Sequence, residues 1–406
     1  DERKTRRFAV LGAVCLLAFV TYVQRLGFIN VAPAIKDHFH FDQREMGWLF
    51  AAFQLAYAVF EIPCGRLGDR LGVRHLLALL AVGMSLVTAA TGLVMGLPVV
   101  AAFAFLFVAR VAFGASQAGI FPSLSRAMAD WMPVKERGSA MGFVWMASRI
   151  GGAAAPWLMA LWAGWLGGWP WALVVSAILG LAWAAGFWGW FRNPPRATHE
   201  GHHAAIPWGR FLRHRGVWGL CLMYGFGGFA ANFFTTFLPT YLKNERALPP
   251  AEVKWLTGAP LMCGVAACLV GGVVSDGIIR LTGNRKWGRR FNGSVGLFVA
   301  GVALWTTNYA DSVLLLGALL CLTFICNDLA MGPAWASCAD IGERSAGTLG
   351  GLMNMIGALA GGVGSIVAGQ LFDHGLSKLV FVIFGCCFGL AALSWLLVDA
   401  NKPLSE

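Results

Sequence analysis

Charged side chains are scarce in this sequence. Asp, Glu, Lys and Arg together make up 13% of the 406 residues, whereas 58% are hydrophobic. A water-soluble domain carries about 25% charged residues, because its surface must be solvated. The composition therefore excludes a soluble globular protein and predicts an integral protein of a lipid bilayer.

The sequence contains long apolar stretches that charged residues rarely interrupt. These stretches lack the alternation of polar and apolar residues that is typical of strands, which disfavours a transmembrane β-barrel. Each apolar stretch is about as long as a helix needs to cross a hydrocarbon core of about 30 Å. We therefore predict an all-α membrane protein with twelve transmembrane helices. The predicted spans are 8–35, 45–65, 76–97, 99–125, 139–166, 169–191, 216–242, 252–279, 291–308, 312–336, 346–372 and 378–399.

Acidic residues are fewer than basic ones, 20 against 31, so the formal net charge is +11. Most of the basic residues fall in one alternate set of loops and termini, such as 126–137, 192–215 and the run from Arg280 to Arg290. By the positive-inside rule, both termini and the segment 192–215 are cytoplasmic. We interpret the surplus charge as a topology signal and predict no nucleic-acid partner.

Motifs for metal, redox and nucleotide chemistry are also lacking. The ten Cys contain no C-x-x-C pair and lie in or beside predicted spans, where they are expected to be small core residues. No Walker-type loop occurs, and no cluster of His, Asp or Glu resembles a catalytic site. We predict no cofactor and no metal, and we favour neither an ATP-driven pump nor a membrane enzyme.

A polar segment divides the chain into two halves. We predict an N-terminal six-helix bundle over 1–191, a cytoplasmic linker over 192–215 and a C-terminal six-helix bundle over 216–406. Internal repetition supports this division, because GRLGDRLGVR (65–74) in the first half matches GGVVSDGIIRLTGNRK (271–286) in the second.

The two repeated loops share a Gly, an Asp four residues later and a basic cluster. In such a loop, Gly allows two helices to approach, and Asp caps a helix or pairs with Arg. We predict that these loops form a cytoplasmic gate. The predicted gating residues are Gly65, Asp69, Arg70, Arg74 and Asp276, with Gly272 at the position that matches Gly65.

The first of these loops resembles the loop between helices 2 and 3 of the major facilitator superfamily, and the resemblance extends over all twelve spans. Further segments look like the anion:cation symporter family, which includes sialin, the vesicular glutamate transporters and bacterial permeases for galactonate, glucarate and hexuronates. They are YVQRLGFINVAPAI (22–35), MGWLFAAFQLAYAVFEIPCGRLGDR (46–70), FGASQAGIFPSLSRAMADWMPVKERGSAMGF (113–143), FLPTYLK (237–243) and PAWASCADIG with AGTLGGLMNMIGALAGG (within 333–362).

The resemblance implies a secondary transporter of small organic anions. It would act by alternating access, as two bundles rock around a site at the bilayer midplane. We expect a monomer in the lipid bilayer, at the bacterial inner membrane, with an organic anion as substrate and protons as possible co-substrates. An anion receptor or sensor on the same fold, which does not transport, is the alternative from another class.

Three arginines lie inside predicted spans: Arg25, Arg110 and Arg149. A charge at membrane depth costs roughly 3 kcal/mol or more, so it points to a partner or a pathway. We predict that Arg25 binds a carboxylate, because the apolar run continues past it and its planar fork can grip the group bidentately. In the family that this sequence resembles, the arginine that matches Arg25 binds the substrate carboxylate. Arg149 fits a structural ion pair slightly better than a substrate contact.

At two positions where the family usually has an acidic residue, this sequence has a glutamine. Gln24 stands where the family usually has an aspartate, and Gln117 where it has the glutamate that carries the coupling proton. Arg110 shares a helix face with Gln117, seven residues away. A glutamine cannot exchange a proton near neutral pH. The sequence therefore argues against proton coupling through this pair and predicts a strongly positive empty cavity.

Three explanations for the amides stay open. The transporter moves or exchanges anions without protons, or it uses a relocated acid, or the amides were introduced by engineering. Candidates for a relocated acid are Glu61 in span 2 and Asp328 in span 10. A hydrogen bond between helices is the alternative for Glu61, and a structural role is favoured for Asp328.

The remaining candidate residues match substrate-contact positions of the family. Tyr22 and Tyr57 have ring hydroxyls that suit a hydroxylated acid. Packing is the alternative role for Trp335. The full predicted set of substrate contacts is Arg25, Tyr22, Tyr57, Gln117, Ser148, Trp335 and Asn354.

Overall fold

A computed structural model describes residues 2–41, 43–192, 208–236 and 238–404 of the chain. Every regular element in these ranges is helical, as the sequence predicts. Most of the predicted linker 192–215 lies outside the described residues. The predicted boundaries of the two bundles therefore stay a prediction.

The described helices form two compact units. Unit 1 comprises Asp1–Trp131 and Ala147–Ala204, and unit 2 comprises Met132–Met146 and Ala205–Glu406. The helices up to the middle of the chain are α1 (Glu2–Phe39), α2 (Gln43–Leu71), α3 (Val73–Gly92), α4 (Val99–Ala118), α5 (Ile120–Trp131), α6 (Arg137–Leu166) and α7 (Trp169–Trp190). Helix α6 begins in unit 2 and continues in unit 1.

The second half of the chain contains nine helices in its described part, and all belong to unit 2. They are α8 (Trp208–Arg213), α9 (Arg215–Thr236), α10 (Leu238–Asn244), α11 (Pro250–Thr282), α12 (Arg285–Thr306), α13 (Val313–Asp328), α14 (Met331–Gly342), α15 (Ala346–Asp373) and α16 (Ser377–Ser394). Within this unit α9 packs along α15, and α12 packs along α16.

Each of the twelve predicted spans coincides with one helix or with two helices in succession. Eight helical segments of the described chain are long and apolar enough to cross a bilayer, and one of them, Val313–Phe372, covers two predicted spans. Helices α6, α9 and α12 coincide with the other three spans. They contain 30, 22 and 22 residues, so they are also long enough to span.

Two predicted spans are interrupted at corresponding places. Helix α4 ends at Ala118, four residues before Pro122, and α13 ends at Asp328, five residues before Pro333. Because proline has no backbone N–H, it cannot donate to the carbonyl four residues earlier. The interruptions place Gln117 and Asp328 at the ends of their helices.

The apolar core of unit 1 surrounds its polar residues. Helix α2 packs along α4, and α3 packs along α7. Buried side chains from α1, α2, α4 and α7 form one cluster, which includes Val23, Phe28, Leu49, Leu106 and Leu173. The polar groups described next therefore lie in low-dielectric surroundings, where an unpaired charge has a strong field.

Candidate functional site

Arg25 of α1 lies among three aromatic rings in unit 1. Its guanidinium carbon is 5.8 Å from the ring centre of Tyr22, 4.8 Å from that of Phe53 and 4.9 Å from that of Tyr57. The guanidinium forms no hydrogen bond and no ion pair with any residue that the structure describes. Ring faces attract a cation without occupying its N–H groups, so these groups stay available to an anion.

Arg110 of α4 has a similar environment deeper in the same unit. Its side chain is 4% exposed, and its guanidinium carbon lies 4.1 Å from the ring centre of Phe28 and 5.3 Å from that of Phe113. The Nε atom is buried without a hydrogen-bond partner among the described residues. Arg110 likewise forms no ion pair within the described part of the chain.

One ring connects the two arginines. The guanidinium carbon of Arg110 is 4.6 Å from the ring centre of Phe53, and that of Arg25 is 4.8 Å from the same centre. The two carbons are therefore no farther apart than the sum of these distances. A small cavity borders Arg110. Its lining residues are Gln24, Phe28, Thr88, Thr91, Ala109, Arg110, Phe113 and Leu173.

The amide of Gln24 is held on both sides. Its Nε2 donates to Ser85 Oγ at 3.1 Å and to the Ser176 carbonyl at 2.9 Å. Its Oε1 accepts from the Thr88 hydroxyl at 3.3 Å. These bonds fix Gln24 in the cavity wall beside Arg110 and satisfy a neutral amide, which both donates and accepts.

Gln117 is satisfied on one side only. Its Nε2 donates to the carbonyl of Thr21 at 3.0 Å, one turn before Arg25 on α1. Its Oε1 is buried without a hydrogen-bond partner among the described residues. Gln24 and Arg110 thus line the same cavity, and Gln117 is bonded to α1 one turn before Arg25.

Glu61 is connected to Arg25 through the side chain of Tyr57. Its side chain is fully buried, and its carboxyl is hydrogen-bonded to the Tyr57 hydroxyl one turn earlier on α2. Because the Tyr57 ring also faces Arg25, this titratable group lies two contacts from the predicted anion-binding residue. Ser148 and Arg149 lie farther along unit 1 on α6, where Ser148 is buried and Arg149 is partly exposed.

The predicted substrate contacts of the second half belong to unit 2. Trp335 is fully buried in α14, and its indole N–H donates to the Tyr224 hydroxyl at 3.3 Å. Its ring centre lies 6.0 Å from that of Trp145 at the start of α6. Asn354 of α15 is 8% exposed.

Asp328 is held by neighbours inside unit 2. Its carboxylate accepts from the Asn327 side chain at 3.0 Å and from the Cys268 thiol at 3.5 Å, and it is fully buried. These two hydrogen bonds hold the carboxylate in place inside the unit. Its predicted structural role and the alternative role in proton coupling both stay untested.

Unit 2 contains a buried cluster of opposite charges at the start of α6. Arg289 Nη1 donates to Asp276 at 2.7 Å, and its Nε donates to Asp340 at 3.1 Å. Arg137 pairs with the second oxygen of Asp340 at 2.8 Å. Asp276 also accepts from the backbone N–H and the hydroxyl of Ser139, at 2.6 and 2.7 Å. All charges of this cluster are compensated.

Close backbone approach holds this cluster together. A Cβ added to Gly272 of α11 would collide with the backbone carbonyl of Gly138 in α6. Gly272 and Asp276 are the residues that the sequence predicts for the second gating loop. Both residues lie inside helix α11, which ends at Thr282, so the loop before α12 is shorter than the sequence predicts. Gly272 packs closely against α6, and Asp276 accepts from backbone N–H groups at the start of α6. Their predicted role in a gate stays a prediction.

The first predicted gating loop, 65–74, lies mostly in helices, because α2 continues to Leu71 and α3 begins at Val73. Gly65 is buried, Arg70 is exposed, and the side chain of Asp69 lies outside the described residues. Arg74 donates to the carbonyl of Trp188 at 2.6 Å and lies 4.7 Å from that ring centre. Its contacts therefore attach the start of α3 to the end of α7.

Several residues around Arg110 in unit 1 and in the charge cluster of unit 2 were not predicted from the sequence. Arg289 lies in the run from Arg280 to Arg290 that we interpreted as cytoplasmic loop charge, yet α12 begins at Arg285 and the Arg289 side chain is fully buried. Two aspartates balance its charge, which explains the difference. The three Phe around Arg110 carry no local signal, since the chain contains 29 Phe.

Comparisons with known proteins place the chain in a large family. The family model described as Major Facilitator Superfamily matches residues 14–365. A probable sulfoacetate transporter of Cupriavidus necator is 30% identical, over 98% of this chain and 95% of that protein. A probable L-galactonate transporter of Escherichia coli is 26% identical, over 100% and 92%. A hexuronate transporter of Bacillus subtilis is also 26% identical, over 94% and 92%.

Solved structures agree at the level of the fold. The proton:xylose symporter XylE superposes with a TM-score of 0.79 at 15% identity, over 100% of this chain and 98% of that one. A bacterial homologue of the iron transporter ferroportin gives a TM-score of 0.77 at 14% identity, over 95% and 98%. At such low identity, the likeness concerns the fold alone.

Proposed function

Because the chain belongs to the major facilitator superfamily, we propose that it is a secondary transporter of small organic anions in which Arg25 binds the acidic group of the substrate. Relatives named as transporters of sulfoacetate, galactonate and hexuronate support this substrate class. The chain is an integral membrane protein, and we propose transport by alternating access at the bacterial inner membrane.

The observation that carries the proposal is the environment of Arg25. Three aromatic rings position the guanidinium, and no described residue takes its hydrogen bonds. A cation held in this way costs free energy at membrane depth unless a ligand compensates it. A carboxylate or sulfonate does so with two parallel hydrogen bonds. In this proposal the binding of the anion is what stabilises the site.

The other proposed contacts follow from the predicted positions. In unit 1, the rings of Tyr22 and Tyr57 flank Arg25, and their hydroxyls are proposed substrate contacts. The Oε1 of Gln117, which has no hydrogen-bond partner among the described residues, is proposed to accept from a substrate hydroxyl. Ser148 is a further proposed contact. In unit 2, Trp335 and Asn354 stay proposed contacts. Gly65, Asp69, Arg70, Arg74 and Asp276 stay the proposed residues of the cytoplasmic gate, and Arg149 a proposed structural ion-pair residue.

We propose that transport does not use a proton at the two amide positions. Gln24 and Gln117 have no titratable group near neutral pH, and the hydrogen bonds of Gln24 suit a neutral amide on both sides. The remaining proposals are cytoplasmic termini, a monomer, no enzymatic activity and no cofactor.

One specific contact favours a second candidate, proton symport through Glu61. This carboxyl is buried and bonded to Tyr57, whose ring faces Arg25. Protonation of Glu61 would then alter its hydrogen bond to Tyr57 and so affect anion binding at Arg25. Asp328 is the weaker candidate for a relocated acid, because Asn327 and Cys268 already hold its carboxylate.

A flux assay tests the proposed function. Purified protein in proteoliposomes should take up labelled galactonate or sulfoacetate without a proton gradient, and Arg25→Ala should reduce uptake at least tenfold because the charge-assisted bonds are lost. Arg192→Gln is the matched control, because this exposed arginine of unit 1 bonds to the carbonyl of Gly189 at a helix end. Uptake that survives Arg25→Ala contradicts the site assignment.

The same assay separates the alternatives. Binding without uptake would support a receptor or sensor on the transporter fold. A strong dependence of uptake on a proton gradient, abolished by Glu61→Gln, would support symport through the relocated acid.

A further inference from the structure

We propose that unit 2 binds an anionic phospholipid, whose phosphate lies between Arg215 of α9 and Arg290 of α12. The site belongs to unit 2 and does not involve the anion site proposed at Arg25. It therefore stands or falls independently of the proposed function.

A short turn near the C-terminus contacts the starts of two helices in unit 2. Residues Trp395–Leu397 form a single 3-10 turn after α16. A Cβ added to Gly219 of α9 would lie 2.9 Å from Leu397, and a Cβ added to Gly293 of α12 would collide with the Trp395 ring. The end of the chain thus joins the first turns of α9 and α12 into one surface.

Basic side chains surround a single carboxylate on this surface. Lys286 Nζ lies 3.8 Å from Asp399, and the same carboxylate attracts Arg290. Asp399 is the one acidic residue of the three segments that carry these side chains, which are 208–218, 284–290 and 398–404. Besides Arg289, which two aspartates compensate, the basic residues of these segments are Arg210, Arg213, Arg215, Arg285, Lys286, Arg290 and Lys402. The surface therefore carries a large excess of positive charge.

Arg215 and Arg290 have hydrogen-bond donors that no described residue uses. The Nε of Arg290 donates to the carbonyl of Val398 at 2.5 Å, whereas its two Nη groups bond to no residue that the structure describes. Arg215 is exposed and forms no hydrogen bond or ion pair within the described ranges. The two like charges are close enough to repel each other. A phosphate between them relieves this repulsion and accepts parallel hydrogen bonds from each planar guanidinium.

Exposed tryptophans beside the two arginines indicate a position at the edge of the bilayer. Trp218 comes three residues after Arg215 and is 43% exposed, and Trp287 comes three residues before Arg290 and is 55% exposed. Residues at this spacing share a helix face. Tryptophan is enriched at the membrane–water interface, at the level of the lipid headgroups.

Apolar side chains continue both faces away from the arginines. Leu222 follows Trp218 by one turn on α9, and Phe291 follows Trp287 by one turn on α12, and both are exposed. A phosphate at the two arginines therefore has apolar surface beside it for acyl chains. This arrangement favours a phospholipid over a free phosphate, because basic pockets between membrane helices bind anionic headgroups.

Native mass spectrometry of the purified full-length protein tests the proposal. The protein is equilibrated in micelles that contain equal amounts of phosphatidylglycerol, which is anionic, and phosphatidylcholine, which is zwitterionic, with the same acyl chains. The wild type should retain the anionic lipid in at least about tenfold excess, because each of the two arginines contributes a factor of about five.

Variants assign the bound lipid to the two arginines. Arg215→Gln should lower the excess about fivefold, and the double variant with Arg290→Gln should abolish it. Arg280→Gln is the matched control, because this exposed arginine in the last turn of α11 also bonds to no described residue. It should leave the excess unchanged within about twofold. Asp399→Asn should raise the excess, because it removes the carboxylate that competes with the phosphate, and it tests the site even if the double variant does not fold.

Three results would overturn the proposal. The first is equal retention of the two lipids by the wild type. The second is an equal effect of Arg215→Gln and Arg280→Gln, since overall charge would then account for the binding. The third is displacement of the anionic lipid by inorganic phosphate at the same concentration, because the ligand would then be the free ion. Retention of the lipid against inorganic phosphate supports the lipid assignment.

Discussion

Two arginines of unit 2 and two arginines of unit 1 have opposite surroundings. In unit 2, Arg289 and Arg137 are paired with Asp276 and Asp340 at distances of 2.7 to 3.1 Å. In unit 1, Arg25 and Arg110 contact aromatic rings and form no ion pair with described residues. These two arginines of unit 2 are thus compensated and these two of unit 1 are not, although unit 1 also contains a paired arginine, Arg126, which bonds to Asp130 at 3.1 Å.

This difference indicates which arginines maintain the structure and which can bind a ligand. A paired guanidinium has used its hydrogen bonds, so its removal leaves buried carboxylates without a partner. An unpaired one keeps its hydrogen bonds for an anion, so its removal relieves a cost in the empty protein. Stability measurements on both units test this interpretation.

The largest effect is expected for Arg289→Met. This substitution leaves Asp276 and Asp340 buried with one counterion fewer, which should lower the free energy of unfolding by about 3–5 kcal/mol. Thermal or denaturant unfolding in detergent measures the change. A loss below about 1 kcal/mol would show that water or Arg137 alone compensates the carboxylates, and would remove the contrast between the units.

A smaller loss is expected for Ser139→Ala. The Ser139 hydroxyl donates to Asp276 at 2.7 Å, and its removal should cost about 1.5 kcal/mol, because the backbone N–H still donates to the same carboxylate. Ser294→Ala is the matched control, since the Ser294 hydroxyl has no partner among the described residues. Equal losses for both variants would contradict a specific role of the Ser139 hydroxyl.

The counterpart of Arg289→Met in unit 1 is Arg110→Met. Without ligand, it should change the free energy of unfolding by no more than about 1 kcal/mol, or stabilise the protein, because no buried acid loses its partner. The measurement is the same unfolding experiment. A loss as large as that for Arg289→Met would reveal a structural role for Arg110.

The smallest effect concerns pH. Uptake should change by less than about twofold between about pH 5.5 and 7.5, because neither guanidinium nor amide groups titrate there. Initial rates in proteoliposomes with equal pH on both sides measure this dependence. A steep profile that Glu61→Gln flattens would instead assign proton coupling to Glu61.

The sequence alone predicts the fold well, for a physical reason. Membrane spans are long, contiguous and apolar, so they are visible locally, and the repeat of Gly65 with Asp69 and Gly272 with Asp276 marks the two halves. Arg25 is equally visible, since a charge inside an apolar run is rare. Its role as an anion-binding residue stays a prediction.

The charge cluster of unit 2 could not be predicted in the same way. Arg289 meets Asp340, which is 51 residues away, and Arg137 meets the same Asp340, which is 203 residues away. No local pattern encodes such distant pairs, and basic residues near a span end look like topology signals. Likewise, nothing in the sequence distinguishes Phe53 from the other phenylalanines, although it contacts both arginines of unit 1.

The central claim is that Arg25 is an uncompensated cation that an organic anion completes. The most direct measurement is the melting temperature of the wild type and of Arg25→Ala during titration with sulfoacetate or galactarate. A ligand at about 100 times its dissociation constant should stabilise the wild type by about 2.7 kcal/mol, a shift of several degrees. The account predicts this shift in the wild type and its absence in Arg25→Ala; equal shifts in both proteins would contradict it.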